Sequence, residues 1–282
     1  MKASLKKELI KARNGKYAVP AFNFDNLEMM KGIIEAAEEE NSPVILMVTE
    51  SAALYMGLDN VFAFSLSATN KAKIPVVLHW DHGFDIELIK KAIDVGFSSV
   101  MLDSSLKPFN QNVKETLEVV EYARKNGVEV ESEIGHVGGK EDDRNSSSNG
   151  YTDITEALEF EKLTQIDALA IAIGTSHGLF KGEIKLQFDL LEELNQKIKT
   201  PLVLHGSSQV PLEDLKKAIS LGITKINIGT DLKIACANGI KDWFEKNEKG
   251  YDARKYGRSA IDFVKAEAIK KIRAFNSNNK GR

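Results

Sequence analysis

Short apolar runs rich in valine and isoleucine alternate along the chain with longer segments whose apolar positions recur every three to four residues. This is the pattern of strands and amphipathic helices laid down in turn. The runs stand at 17–24, 43–49, 76–81, 98–103, 128–135, 168–174, 201–206 and 223–229, and the helical segments between them include 26–40, 85–95, 111–126 and 212–221. Strand, helix, strand in regular succession is the signature of a parallel sheet covered on both faces. Eight such repeats predict an α/β fold, a closed (β/α)8 TIM barrel, as one domain over residues 1–282.

The ends of the chain and one internal stretch depart from this rhythm. Residues 1–13 read as a charged amphipathic helix, 234–275 as a long helical region and the candidate for a subunit interface, and 276–282 as a frayed tail. The stretch 138–150 holds paired glycines, the acidic Glu141, Asp142 and Asp143, and the run Asn145-Ser146-Ser147-Ser148-Asn149-Gly150. It is expected to build no packed element and to form a mobile loop after the fifth strand, serving as a lid or catalytic loop or as a plain insertion.

In a barrel of this kind the side chains at the strand ends converge on one mouth. Polar residues gather there: Asn23, Thr49, Asp81-His82, Asp103, Glu133, then Gly174-Thr175-Ser176-His177-Gly178, His205-Gly206-Ser207-Ser208 and Asn227-Ile228-Gly229-Thr230. Three of the five histidines, His82, His177 and His205, follow the third, sixth and seventh strands. Three converging imidazoles suit Zn2+, or another borderline metal, with positions left for an oxygen ligand. His79 is expected deeper in the barrel as a hydrogen-bonded core residue and His136 on the solvated surface; neither is assigned to the metal.

Asp81, beside His82, is in position either to exchange a proton with a bound substrate or to orient a histidine. Asp103 and Glu133 leave three readings open: a second metal position, support behind the first metal, or a salt bridge to a barrel lysine. Gly206-Ser207-Ser208 and Gly229-Thr230-Asp231 combine close backbone approach, small hydroxyls and a helix start, the parts of a phosphate site.

Composition narrows the partners. The chain is 43% hydrophobic and 28% charged with a net charge of -3, which gives no reason to expect a nucleic acid or an anionic membrane. One cysteine, Cys236, excludes an internal disulfide and a cysteine-based zinc site. With neither a signal-peptide core nor a run long enough to span a bilayer, a cytoplasmic protein acting on small molecules is expected.

The run Leu78-His79-Trp80-Asp81-His82-Gly83, then Ser99-Val100-Met101-Leu102-Asp103, the blocks at 135–142, 174–178 and 201–208, and the block at 225–231 stand in one order along nearly the whole chain. Together they resemble the class II ketose-bisphosphate aldolases. The resemblance implies zinc-dependent, reversible cleavage of a ketose 1,6-bisphosphate, fructose or tagatose, to dihydroxyacetone phosphate and an aldehyde, glyceraldehyde 3-phosphate, with zinc as Lewis acid in place of a Schiff-base lysine. It implies His82, His177 and His205 as zinc ligands and Asp81 as the acid–base group at the C4 oxygen. Glu141 would handle the carbon-bound proton. Gly178, Gly206, Ser207, Ser208, Asn227, Ile228, Gly229 and Thr230 would bind dihydroxyacetone phosphate, with Asn23 and Thr49 lining the site. A homodimer or homotetramer is also implied.

Trp80, Thr49, Ser207 and Gln209 depart from the family's usual residues and are expected around the substrate, which leaves the identity of the aldehyde product open, while a small residue at Gly229 leans toward the tagatose-cleaving members. The residues leave open the same chemistry on another modified ketose phosphate, and a metal-dependent sugar-phosphate epimerase. They also leave open a Schiff-base aldolase using Lys181 or Lys225, and an inactive barrel serving as scaffold.

Overall fold

The computed structural model describes residues 2–141, 144–146, 150–179 and 184–281, with the side chains of Glu141 and Arg144–Ser146 outside that description. All eight expected strands form. In chain order they are β1 (Val19–Asn23), β2 (Val44–Val48), β3 (Val76–Gly83), β4 (Ser99–Leu102) and β5 (Glu129–Ile134), then, after a small ribbon of β6 (Gly139–Glu141) and β7 (Arg144–Ser146), β8 (Ala168–Ile171), β9 (Leu202–Leu204) and β10 (Ile223–Ile228). They close a parallel barrel in the order β1-β10-β9-β8-β5-β4-β3-β2. The helices are α1 (Leu5–Gly15), α2 (Leu27–Glu39), α3 (Glu50–Met56), α4 (Leu58–Lys71), α5 (Ile86–Val95), α6 (Phe109–Lys125), α7 (Ile154–Thr164), α8 (Phe188–Lys197), α9 (Leu212–Ser220), α10 (Thr230–Lys246) and α11 (Ala253–Ala274).

Successive strand residues point to opposite faces, so the period of two in the sequence becomes two cores. One lies between barrel and helices and holds Phe22, Leu46, Trp80, Ile226 and Ile228. The other lies inside the barrel and holds Val19, Ala21, Ile45, Met47, Val77, Met101 and Val203. The lower end of that interior is plugged by α1 through Leu5, Leu9 and Ala12. Higher up, the inward positions turn polar: Asn23 follows Ala21, His79 and Asp81 follow Val77, and Asn227 follows Lys225.

Three expectations change. The stretch read as unable to build an element contains the β6–β7 ribbon, paired Gly139↔Ser146, Lys140↔Asn145 and Glu141↔Arg144. Its backbone bonds are local and need no apolar core; the rest of the expected mobile loop, 142–143 and 147–149, lies outside the described residues. The long C-terminal region splits at 247–252, where a turn at Gly250 and the Asp252 cap start a new helix. The tail is tied down rather than frayed: Ser277 Oγ meets Ser42 Oγ at 2.8 Å, and the amides of Asn279 and Gly281 donate to Glu40 and Asn41 at 2.8 and 2.7 Å.

Helix α11 lies along α10 at the distance of a glycine contact. Ser259 Oγ donates to Gly239 O at 2.7 Å, and a Cβ on Gly239 would stand 2.6 Å from Ser259 O and 2.8 Å from Ala260 Cα. Gly239→Ala should therefore lower stability by about 1–3 kcal/mol, against a helix-propensity gain of about 1 kcal/mol. A denaturant midpoint equal to or above that of the parent would mean that the two helices separate freely.

Candidate active site

The mouth of the barrel holds a cavity of about 430 Å³. Of the residues expected there, Asn23, Thr49, Asp81, His82, His177, Gly178, His205, Gly206, Ser207, Ser208, Asn227, Gly229 and Thr230 all line it. Ile228 does not. It alternates outward from Asn227 into the barrel–helix core, so only its backbone is near the site. Trp80 is likewise turned away from substrate, packed edge-on against Phe97 at 5.7 Å. The side chain of Glu141 and all of Lys181 lie outside the described residues.

Asp81 and His82 are consecutive, yet both face the cavity. A regular strand would send one of them outward. The register between β3 and β4 shifts between Trp80 and Gly83, and His82 takes φ 91°, a left-handed conformation costing about 1–3 kcal/mol for a non-glycine residue. This bulge adds one inward-facing residue. Strain is concentrated on a histidine that faces the cavity.

The three imidazoles come together as expected. Ring nitrogens of His82, His177 and His205 lie within 4.8 Å of one another, with ring planes close to perpendicular in every pair. Asp103 stands behind His82, its Oδ2 3.2 Å from His82 Nδ1. Burial raises the Asp103 pKa, but hydrogen bonds from His82 and Ser105 outweigh it and hold the group well below the usual carboxylate range. As a carboxylate it only accepts, so His82 donates from Nδ1 and turns the Nε2 lone pair inward.

His205 is held the same way by a residue that sequence reasoning missed. Its Nε2 lies 2.7 Å from Glu131 Oε1, and Glu131 Oε2 accepts from Lys225 Nζ at 2.8 Å. All three side chains are fully buried. The salt bridge expected of Asp103 or Glu133 thus belongs to Glu131. The alternation Glu129, Glu131, Glu133 along one strand was the available signal, since it turns the last two toward the barrel interior. Lys225 is engaged beneath the site, which removes the reason for reading it as a Schiff-base lysine.

Asp81 is buried with both oxygens bonded, Oδ2 to Asn23 Nδ2 at 2.8 Å and Oδ1 to Asn227 Nδ2 at 3.1 Å. Burial alone would raise its pKa, but His82, His205 and Lys225 lower it on balance, so the group is an ionised base. Glu133 goes the other way, pushed up to about 8 by burial and by the charge of Asp103. Its Oε1 accepts from the amide of Val137 at 3.0 Å, and with His82 and Asp103 it forms a second cluster of ligand type.

His79 is the buried, hydrogen-bonded histidine expected, with Nδ1 2.8 Å from Ser99 Oγ. His136 is not on the solvated surface: it is partly buried, with Nδ1 2.9 Å from Ser105 Oγ. Lys140, Leu179 and Lys233 also line the cavity, and no motif had singled out their side chains. At the far end, α10 begins at Gly229 and Thr230, and the amide of Asp231 lies 3.4 Å from Ser208 Oγ. A helix start, glycine corners and a hydroxyl make a ready anion site.

A larger open groove of about 700 Å³ between α10 and α11 is lined by Asp231, Asp262, Glu267 and Lys270 beside apolar residues, with no histidine among its lining. Among the described residues no helix is long and apolar enough to cross a membrane.

Comparison with known proteins agrees with this geometry. The chain is 46% identical over 281 residues to a fructose-bisphosphate aldolase of Geobacillus stearothermophilus, covering 98% of each chain. It is 44% identical over 282 residues to that of Staphylococcus aureus, covering 99% of each. Among solved structures, the YdjI aldolase of Escherichia coli K12 superposes with a TM-score of 0.90 at 35% identity over the full length of both chains. The family model for fructose-bisphosphate aldolase class II matches residues 3–280, and the chain belongs to that family, the aldehyde-lyases that act on phosphorylated ketoses.

Proposed function

We propose that this chain is a zinc-dependent aldolase that reversibly cleaves fructose 1,6-bisphosphate to dihydroxyacetone phosphate and glyceraldehyde 3-phosphate. One observation carries the reading: a single cavity joins an ionised Asp81, three converging imidazoles and a helix start suited to phosphate. The names of the relatives favour the fructose epimer; the small residue Gly229 keeps tagatose 1,6-bisphosphate as the second substrate to test. The same reading carries a cytoplasmic homodimer or homotetramer, which sedimentation equilibrium would test.

The donor set fits a metal on its own terms. With His82 donating from Nδ1 to Asp103 and His205 from Nε2 to Glu131, the nitrogens that face each other at 2.7 Å, His82 Nε2 and His205 Nδ1, both present lone pairs. Only a cation or a shared proton makes that contact favourable, and burial lowers the proton affinity of His205 well below the ordinary value. Zn2+ suits three neutral imidazoles backed by carboxylates, and when bound it supplies Lewis acidity at the ketose carbonyl.

The rest is done by the chain. Asp81, held by Asn23 and Asn227, accepts the C4 hydroxyl proton in cleavage and returns it in condensation. Asn227 Oδ1 is buried without a protein partner among the described residues, which leaves an acceptor for a substrate hydroxyl. Gly178, Gly206, Ser207, Ser208, Gly229 and Thr230 hold the phosphate, and Thr49 lines the cavity beside Asn23. Glu141 handles the carbon-bound proton. Asp103 and Glu131 fix the tautomers of His82 and His205, and Glu133 anchors the start of the segment that carries Glu141.

Asp81→Asn should retain zinc and lose cleavage by a factor on the order of 10²–10⁴, whereas Glu141→Gln should retain zinc and impair tritium exchange into dihydroxyacetone phosphate. Near-normal turnover in the first variant would reduce Asp81 to orienting a histidine. A chelator should abolish cleavage, with zinc restoring it, and His205→Ala should lose zinc and activity together; chelator-resistant cleavage would sink the metal assignment.

In the metal-free protein, burial and the neighbouring His82 lower His177 from 6.5 to about 3. The folded chain keeps this imidazole neutral while the unfolded chain protonates it below its ordinary value. Its contribution to stability is therefore complete above pH 6.5 and is lost as pH falls from there toward about 3, at up to about 1.4 kcal/mol per pH unit. His177→Asn should flatten the acid side of the stability curve of the metal-free protein. An unchanged slope would mean that His177 is solvated in solution.

A further inference from the structure

A chain of hydrogen bonds leads from His82 out of the site. Asp103 accepts from His82 through Oδ2 at 3.2 Å, and through Oδ1 it accepts from Ser105 Oγ at 2.7 Å and Ser105 N at 3.1 Å. Because the hydroxyl proton of Ser105 is given to Asp103, its oxygen must accept from His136 Nδ1, 2.9 Å away. Every link then runs in one sense, toward the carboxylate from both ends, and the tautomers of both histidines are defined.

His136 is also the residue at which the β6–β7 segment leaves the barrel. Its amide donates to Gly150 O at 2.8 Å and its carbonyl accepts from Gly150 N at 3.1 Å, which brings the two ends of the segment together. One residue on, Val137 N donates to Glu133. The ribbon is then joined to a second ligand through backbone alone: His177 N donates to Gly138 O at 2.8 Å and Lys140 N donates to His177 O at 3.2 Å.

We propose that His136 is a positioning residue that acts through Ser105 and Asp103 to fix the ring of His82, so that the seating of the β6–β7 ribbon and the holding of the metal are one coupled equilibrium. The proposal rests on the metal reading given above. It assigns work to a side chain three bonds removed from the ligand, and it gives the segment that carries Glu141 a physical connection to two of the three imidazoles. The coupling is reciprocal: loss of metal should loosen the amides of His136 and Gly150.

The test needs no substrate. Zn2+ affinity of the full-length protein is measured by competition with a chromogenic chelator, and the visible spectrum of the Co2+-loaded protein reports ligand geometry. His136→Ala and Ser105→Ala should each weaken zinc by about tenfold, the lower end of what support behind a ligand contributes. The double variant should be no worse than either single one, since all three cut the same link. His136→Asn, which keeps a short neutral donor, should recover most of the affinity and the parent Co2+ spectrum.

Hydrogen exchange at His136 and Gly150 should quicken when zinc is removed from the parent protein. Parent-like zinc affinity in Ser105→Ala, multiplicative losses in the double variant, or His136→Asn no better than His136→Ala would each overturn the proposal, even if His136→Ala does not fold. Failure of the metal reading looks different: the parent itself would then bind zinc weakly and His205→Ala would change nothing.

Discussion

Inside the barrel a carboxylate and an ammonium sit where an apolar layer would be expected. Glu131 and Lys225 are both fully buried and lie 2.8 Å apart. Taking two ions out of water costs several kcal/mol each, and a well-packed apolar pair of the same volume would often be as stable or more so. The pair makes physical sense through what it faces. Glu131 uses its second oxygen to accept from His205 Nε2, which turns the Nδ1 lone pair toward His82 and His177. Lys225 supplies the positive charge that lets that carboxylate be buried, and it also lowers the pKa of Asp81. An apolar layer here would leave the lower side of the site without an acceptor to set the tautomer of His205.

The upper side is set by backbone geometry. A strand offers the cavity every second residue, so two cavity-facing side chains adjacent in sequence conflict with the pleat. The bulge at Trp80–Gly83 and the left-handed φ of His82 remove the conflict locally. Such strain persists only when the surroundings over-determine it. Here Asp103 holds the ring of His82, while Asn23 of β1 and Asn227 of β10 hold Asp81, where the first and last strands pair. Closure of the barrel thus fixes Asp81, because the two amides that grip it come from the first and last strands.

How much of this could be read from the sequence follows from range. The eight strands were legible because burial on both faces leaves a local apolar signal, and the site was legible because polar residues at strand ends break that signal. Asp81, His82, His177 and His205 were singled out this way, and the structure brings them to one cavity. Glu131 was not, since nothing beside it in the sequence marks the lysine 94 positions away that it faces. Trp80 and Ile228 were taken for site residues through their neighbours; the pleat, which sequence adjacency ignores, turns them into the outer core. The tail read as frayed because its composition is polar, while its anchoring depends on carbonyls at Glu40 and Asn41 far away in the chain.

Both ends of the cavity therefore work by the same rule. Groups that must act are held by partners that are themselves held, and those partners come from distant parts of the chain. At the end opposite the histidines α10 starts at Gly229, and Asp231 in its first turn is ion-paired with the buried Lys271 of α11. That helix is in turn fixed along α10 at Gly239. At the histidine end the supports run inward to Glu131 and Lys225 and outward to Ser105 and His136. Two loop connections reach the histidines from outside the barrel: Ser105 and His136 through Asp103 to His82, and the β6–β7 ribbon through backbone to His177. Movement of the segment that carries Glu141 is thus passed to His177 through backbone hydrogen bonds.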